Sequence, residues 1–177
     1  MKIRYAVLGA LALSTGAHSQ APTAAAPPAT PARGPSLGLA LQAAHVAIET
    51  CAAKGFNVGV SVIDSGGVLK ALLASDGTSP RSVQSSNNKA TTALTFKEAT
   101  SHLGELVKSD KALADQVAAN TNFNVRAGGV LLRVNGDVVG AIGVGGARGS
   151  ENDEACAVAA AQAIQAQLTA ALGAAVN

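Results

Sequence analysis

The chain has 177 residues, of which 48% are hydrophobic, 14% are charged and 2% are aromatic, and its formal net charge is +2 at neutral pH. This length predicts one domain with a buried core, since a domain takes about 100–200 residues. Because the chain has no marked basic excess and no Trp, one Tyr and three Phe, it lacks the cationic surface and the stacking side chains of nucleic-acid binders. Nucleic acid is therefore not a predicted partner.

The N-terminus has the pattern of a secretory signal peptide. Lys2 and Arg4 precede the apolar run of residues 5–13, and small residues lie on both sides of His18. We predict cleavage after Ser19, so that residues 1–19 are the signal and the mature protein is periplasmic or secreted. Loss of two basic residues leaves the mature chain neutral. The apolar run is too short to cross a bilayer, so no membrane span is predicted.

A proline-rich segment follows the predicted cleavage site. Residues 20–35 contain five of the six prolines and almost nothing that a core would bury. This composition predicts a disordered tether. The rest of the chain, residues 36–177, is predicted to form the single domain.

The first part of the domain reads as one helix and one hairpin. Ser36 is placed to cap a helix over residues 37–54, whose apolar positions recur at intervals of three and four and which ends at Gly55. Alternating valines in residues 57–64, the Ser65-Gly66-Gly67 turn and the apolar residues 68–73 then predict a β-hairpin.

Three helical segments come next. Residues 81–96 contain neither Gly nor Pro and form the first of them, after the turn around Asp76-Gly77. Two shorter helices are predicted to begin at the caps Thr100 and Ser109.

The last part of the domain is a second hairpin and a long helix. Strands over residues 130–134 and 137–144 are joined by Asn135-Gly136, the sequence typical of a type I′ turn. An alanine-rich helix runs from Ser150 to about Leu172. The predicted order is α-β-β-α-α-α-β-β-α, an α+β fold with an antiparallel sheet built from hairpins and helices packed on it. A glycine-rich segment before the last helix superficially matches a dinucleotide fingerprint, but that fingerprint needs a parallel βαβ unit.

Several motifs in fixed order carry a family resemblance. They are residues 60–67 (VSVIDSGG), the Asp76-Gly77 turn, the helix motif Ser85-x-x-x-Lys89-Ala90-x-Thr92-Ala93, Gly128-Gly129, residues 137–147 (DVVGAIGVGGA) and Asp153-Glu154. Together they resemble the GlcG/HbpS family over nearly the whole mature domain. The resemblance implies a profilin-like or PAS-like layout, with homo-oligomers in at least some members. The sequence departs from exported relatives at Arg81, where they often have histidine, and at Thr91, where they often have an aromatic residue.

The resemblance implies haem as the cofactor, without fixing one activity. Some secreted members bind haem and have been linked to haem degradation or redox sensing, a related domain, the PduO C-terminal domain, accompanies a corrinoid adenosyltransferase, and another member is encoded beside glycolate oxidation. We predict an exported haem- or small-ligand-binding module without an evident catalytic centre. The alternatives are an enzyme or sensor of small organic hydroxy acids, or a ligand-free oligomerisation module.

The two cysteines are predicted to form a disulfide. Cys51 and Cys156 are the only cysteines, lie beside apolar positions of the first and last helices, and belong to a chain predicted to be exported. The pairing requires these helices to lie side by side. The first alternative is two buried thiols. A metal-binding pair is the less favoured alternative, because neither cysteine has a second ligand at the spacing of zinc sites.

Candidate ligand-binding residues fall in three places. His45 lies beside the apolar stripe of the first helix, either as a partly buried histidine with a satisfied hydrogen bond or as an axial ligand; His102 is predicted to be solvated. The loop of Gly145, Gly146, Arg148 and Gly149 leads into a helix N-terminus, so it either holds a carboxylate or merely turns the chain tightly. Lys89 is either a second positive charge for that ligand or a solvated side chain.

One acidic pair is a candidate metal site. Glu151 and Glu154 stand three residues apart in the first turns of the last helix, where they either bind a hard cation or complement the helix dipole.

Overall fold

The computed structural model describes residues 32–173. They form nine elements in the predicted order, so the predicted α+β fold is confirmed. The elements are α1 (Leu37–Ala52), β1 (Gly59–Asp64), β2 (Leu69–Ala74), α2 (Pro80–Phe96), α3 (Thr100–Ser109), α4 (Lys111–Ala118), β3 (Gly129–Val134), β4 (Asp137–Gly145) and α5 (Ser150–Gly173).

The four strands form one antiparallel sheet in the order β2-β1-β4-β3. Both predicted hairpins are present, and β1 pairs with β4 in the middle, from Gly59 opposite Gly145 to Asp64 opposite Gly140. Asn135 and Gly136 have φ values of 52° and 90°. Two successive positive φ values are what a type I′ turn requires, so the local sequence fixes this register.

One face of the sheet is covered by α1 and α5. Small side chains of α1, such as Ala40 and Ala44, and larger ones of α5, such as Ile164 and Leu168, are fully buried against the valines of β1 and β4. The Cys51–Cys156 disulfide joins the end of α1 to the beginning of α5, with 5.7 Å between the two Cα atoms. The predicted pairing and the predicted placement of these helices are both confirmed.

The other face is covered by α2, which lies unusually close to the sheet. Gly145 stands opposite Gly59, and Gly143 opposite Gly129. A Cβ atom at Gly143 would collide with the backbone carbonyl of Ser86 and lie 2.6 Å from the Ala90 nitrogen. The absence of side chains on these glycines therefore lets the α2 backbone rest on the strands.

Two helix starts differ from the prediction by one residue. Thr100 is the first residue of α3 rather than its cap, because its buried hydroxyl accepts the Gly129 N–H at 2.8 Å and so binds β3. Asp110, rather than Ser109, caps α4 by accepting the Leu113 N–H at 3.0 Å. The first helix also ends at Ala52, two residues earlier than predicted.

The domain begins slightly before the predicted boundary. The Arg33 N–H donates to the Ser65 hydroxyl at 2.7 Å, the Ser65 N–H donates to the Arg33 carbonyl at 2.8 Å, and Pro35 is buried. The predicted disordered tether, residues 20–35, is thus too long at its C-terminal end, because residues 33–35 pack on the domain. The predicted signal peptide, residues 1–19, and the tether up to residue 31 lie outside the described residues.

Within residues 32–173, α5 is the one helix long and apolar enough to cross a membrane by length and composition. Its Cys156, Ala160, Ile164 and Leu168 have no exposed surface, and they pack in the core with α1 and the sheet. The apolar composition of α5 is therefore explained by its packing in the core.

Removing the disulfide is expected to destabilise the domain. The bond closes a loop with a sequence separation of 105 residues, and a loop of this length corresponds to about 4–5 kcal/mol in the chain-entropy account. Urea unfolding with and without reductant measures the loss, and a Cys51→Ala/Cys156→Ala variant should be insensitive to reductant. Two carbamidomethyl groups on the alkylated, unreduced protein would contradict the disulfide.

A methyl group at Gly143 should force α2 away from the sheet. We expect Gly143→Ala to lower the free energy of unfolding by about 1–3 kcal/mol, the usual range for overpacking. The matched control is Gly38→Ala, because a Cβ at Gly38 meets nothing closer than the Ser36 hydroxyl at 3.9 Å, and alanine is the better helix former. Equal unfolding curves for the two variants would show that α2 tolerates the added methyl.

Candidate functional site

The candidate site is a polar cleft of about 800 Å³ beside α2. Its walls are α2, residues 121–126 and the glycine loop that enters α5. Among residues 32–173, four amide side chains, four hydroxyl side chains, three cations and one carboxylate line it, and the apolar side chains of the lining are Phe123 and Ala147. This lining favours a ligand rich in hydrogen-bonding groups.

A buried ion pair lies at the cleft. Lys89 Nζ donates to Asp153 Oδ2 at 2.6 Å and to the Val144 carbonyl at 3.0 Å, and the two side chains are 2% and 5% exposed. The sequence left open whether Lys89 is solvated or is a free positive charge for a ligand. In the structure it is neither, because its ammonium group is buried and paired with Asp153. Its position follows from α2, where Ser86, Lys89, Ala90 and Ala93 share the buried face.

Burial, the largest effect, lowers the pKa of Lys89. The hydrogen bond and the negative charge of Asp153 oppose this lowering of the pKa, the positive charge of Arg126 adds to it, and the negative charge of Glu154 opposes it as the smallest effect. Arg126 is thus within electrostatic range of the Lys89 ammonium. An anion bound beside these two groups would stabilise the charged form of Lys89.

The glycine loop already holds a carboxylate, which belongs to the protein. The Ala147 N–H donates to Asp153 Oδ1 at 2.8 Å, while Gly146 and Gly149 have φ values of 128° and 85° that other residues rarely adopt. Gly145 lies under α2, where a Cβ would meet the Ser82 carbonyl at 2.7 Å. The tight turn predicted as one alternative is present, and Asp153 takes the place expected for an external anion.

The structure brings only part of the predicted ligand set together. Lys89, Gly146 and Gly149 line the larger cleft. Arg148 lines an adjacent cleft of about 540 Å³, which shares Ser82 and Gly146 with the first.

Both predicted histidine candidates lie outside the clefts. His45 is exposed on α1, which covers the opposite face of the sheet, and it lines neither cleft. The alternative of a partly buried histidine is therefore wrong. His102 is 58% exposed, as predicted, with Nδ1 3.2 Å from Glu98 Oε1.

The predicted metal pair has no third His, Cys, Asp or Glu ligand among the described residues. Glu151 is exposed, whereas Glu154 Oε1 accepts a hydrogen bond from the Ser101 hydroxyl at 2.7 Å. No group of three or more His, Cys, Asp or Glu side chains placed to share a metal ion occurs between residues 32 and 173.

Asn124, Arg126 and Arg81 are among the cleft residues that the sequence analysis missed. Asn124 donates its backbone N–H to the Thr92 hydroxyl at 2.8 Å and its side-chain amide to the Ser85 hydroxyl at 3.1 Å, and its Oδ1 accepts the Arg126 N–H at 3.1 Å. These bonds hold the segment that presents Arg126. Arg81, where the resemblance leads one to expect histidine, is the second exposed arginine of the cleft.

The family profile and the solved structures that match this chain both point to HbpS-like proteins. The profile of the family described as haem degrading protein HbpS-like matches residues 36–162. The crystal structure of a double mutant of Streptomyces reticuli HbpS is 32% identical, with a TM-score of 0.70, and the match covers 82% of this chain and 98% of that one. A search of curated protein sequences finds no match.

Two more distant solved structures have the same fold. Klebsiella pneumoniae ORFY is 25% identical with a TM-score of 0.72, and the match covers 81% of this chain and 99% of that one. PduOC, solved as a complex with haem, is 25% identical with a TM-score of 0.67, and the match covers 74% of this chain and 95% of that one.

Truncation of Asp153 should leave Lys89 as an unpaired buried charge. We expect Asp153→Ala to lower the free energy of unfolding by about 3–5 kcal/mol, and Lys89→Met in the same chain to restore part of the loss. The control is Asp115→Ala, which breaks the exposed Lys111–Asp115 pair and should cost no more than about 0.5 kcal/mol. Equal urea midpoints for Asp153→Ala and the control would contradict the role given to the pair.

Proposed function

This chain belongs to the HbpS-like family, and we propose that it is a haem-binding module. The family profile spans most of the domain, and PduOC, which shares the fold at 25% identity, was solved with haem. We place the haem site in the larger cleft, because Arg81 and Arg126 line it. Haem has two propionates, and arginine binds carboxylates through paired N–H donors.

The cleft residues fit the carboxylates of haem better than they fit its iron. Neither His45 nor His102 lines the cleft, and none of its lining residues is Cys, Met or Tyr, which are the usual haem ligands together with histidine. Phe123, packed edge-to-face on Phe96 with 5.1 Å between the ring centroids, offers the one aromatic surface of the cleft. Haem would supply redox chemistry at its iron, whereas the described cleft residues would anchor the propionates and offer no histidine to the iron.

The proposed setting is outside the cytoplasm. The predicted signal peptide supports export, and the Cys51–Cys156 disulfide is the kind of bond that persists in the periplasm or outside the cell. Homo-oligomer formation, implied by the family resemblance, stays a prediction.

Haemin titration followed by absorbance tests the proposal. We expect a saturable Soret band, and we expect Arg81→Ala/Arg126→Ala to raise Kd at least about tenfold, since each charged hydrogen bond contributes roughly 1.5–3 kcal/mol. His45→Ala is the control and should leave the spectrum and Kd unchanged.

Three outcomes would contradict parts of this proposal. Non-saturable broadening would reject haem binding altogether. Saturable binding that His45→Ala weakens would move the site to the α1 face of the sheet, and weakening by Arg148→Ala alone would move it to the smaller cleft.

A further inference from the structure

The inner end of the larger cleft has hydrogen-bonding groups in excess of what the fold uses. An ammonium group carries three N–H donors, and Lys89 Nζ has two partners among residues 32–173, the Val144 carbonyl and Asp153 Oδ2. The Ser85 hydroxyl accepts from the Asn124 amide, which leaves its own proton to donate. Lys89, Ser85 and Asn124 all line the cleft.

Charge at this end favours an anion. The cleft is lined by Arg81, Lys89 and Arg126 but by a single carboxylate, Asp153. Both oxygens of that carboxylate are hydrogen-bonded, one to Lys89 and one to the Ala147 N–H. Asp153 is thus neutralised by Lys89, whereas the side chains of the two arginines form no ion pair with another described residue.

The arginine whose charge acts on Lys89 is available to a ligand. The Arg126 side chain is exposed and makes no hydrogen bond or ion pair with another described residue. Its backbone N–H, however, is held by the Asn124 Oδ1 at 3.1 Å. The segment is therefore positioned while its guanidinium stays uncommitted.

The remaining lining discriminates between kinds of anion. The side chains of Gln84, Asn88 and Asn122 and the hydroxyl of Ser150 add donors and acceptors, and these suit hydroxyl groups. Among the described residues, Phe123 and Ala147 are the apolar side chains that a porphyrin ring would contact here, so the propionates are the part of haem that this lining fits. A small molecule carrying both carboxylate and hydroxyl groups would satisfy the lining over its whole length.

We propose that the larger cleft binds a small hydroxylated mono- or dicarboxylic acid. One carboxylate accepts hydrogen bonds from Arg126 and from the third donor of Lys89, and the hydroxyl groups bond to Ser85 and to the amide side chains. This site shares the cleft proposed for haem but does not depend on haem binding.

Calorimetric titration of the protein with a matched series of compounds tests the assignment. Tartrate carries carboxylates and hydroxyls, succinate lacks the hydroxyls, erythritol lacks the carboxylates, and inorganic phosphate is a simple anion. We expect saturable binding of tartrate at one site per chain, at least tenfold weaker binding of succinate and phosphate, and none of erythritol. Succinate or phosphate binding as tightly as tartrate would overturn the proposed ligand class.

Variants place the ligand within the cleft. Arg126→Gln should weaken tartrate binding at least tenfold and Ser85→Ala about threefold, whereas Arg148→Gln, in the neighbouring smaller cleft, should leave Kd unchanged. Because the Arg126 side chain holds nothing in the fold, its loss should not shift the melting temperature. Weakening by Arg148→Gln and not by Arg126→Gln would overturn the placement.

Haemin titration in parallel separates the two proposals. Saturable haemin binding with no tartrate binding rejects the acid site and leaves the haem proposal standing. Tartrate binding with only non-saturable haemin uptake rejects the haem proposal and supports the acid site. Displacement of tartrate by haemin supports both ligands in one cleft.

Discussion

The Lys89–Asp153 ion pair is the interaction on which the site depends. It joins four parts of the fold. Lys89 belongs to α2 and also donates to the Val144 carbonyl near the end of β4, while Asp153 belongs to α5 and also accepts from the glycine loop. A charge this deeply buried is costly unless its partner is held in place. The pair therefore fixes how the glycine loop leaves the sheet, and with it one wall of the larger cleft.

Glycines within the strands and just before β3 make this pair geometrically possible. A Cβ at Gly128 would lie 2.8 Å from both Lys89 Nζ and the Asp153 Cβ, so a side chain there would enter the space that the pair occupies. The glycines of β1, β3 and β4 bring the α2 backbone down to the strands, and Ser61 and Ser86 bond across the contact at 2.9 Å. Close approach of α2 carries Lys89 far enough inward to reach the end of β4 and Asp153.

Local signals in the sequence were enough for the fold, and for only part of the site. The Ser36 cap, the Asn135-Gly136 turn and the valine alternation each act over a few residues, so the elements and their order followed from them. The burial of Lys89 was also within reach, since Ser86, Ala90 and Ala93 surround it at helical spacing. Arg126 was not, because the bonds that position its segment reach back 32 residues to Thr92 and 39 residues to Ser85. Such hydrogen bonds depend on the tertiary contact of α2 with the loop of residues 121–126, and sequence periodicity does not predict that contact.

The larger cleft also explains how a chain with a small net charge can favour anions. The chain has 13 basic and 11 acidic residues. The Asp153 carboxylate of the cleft is already bonded to Lys89 and to the glycine loop, and the side chains of Arg81 and Arg126 form no ion pair with another described residue. Recognition at such a place is led by the carboxylates of the ligand rather than by its apolar body. Haem and a hydroxylated acid both carry carboxylates, but the rest of haem is an apolar macrocycle, whereas the rest of the acid carries hydroxyl groups. The polar walls beside Arg126 therefore discriminate between the two ligands through their contacts with the part of each that is not carboxylate. Amide and hydroxyl walls lose their hydration when a macrocycle covers them and regain hydrogen bonds only from a ligand that has its own polar groups.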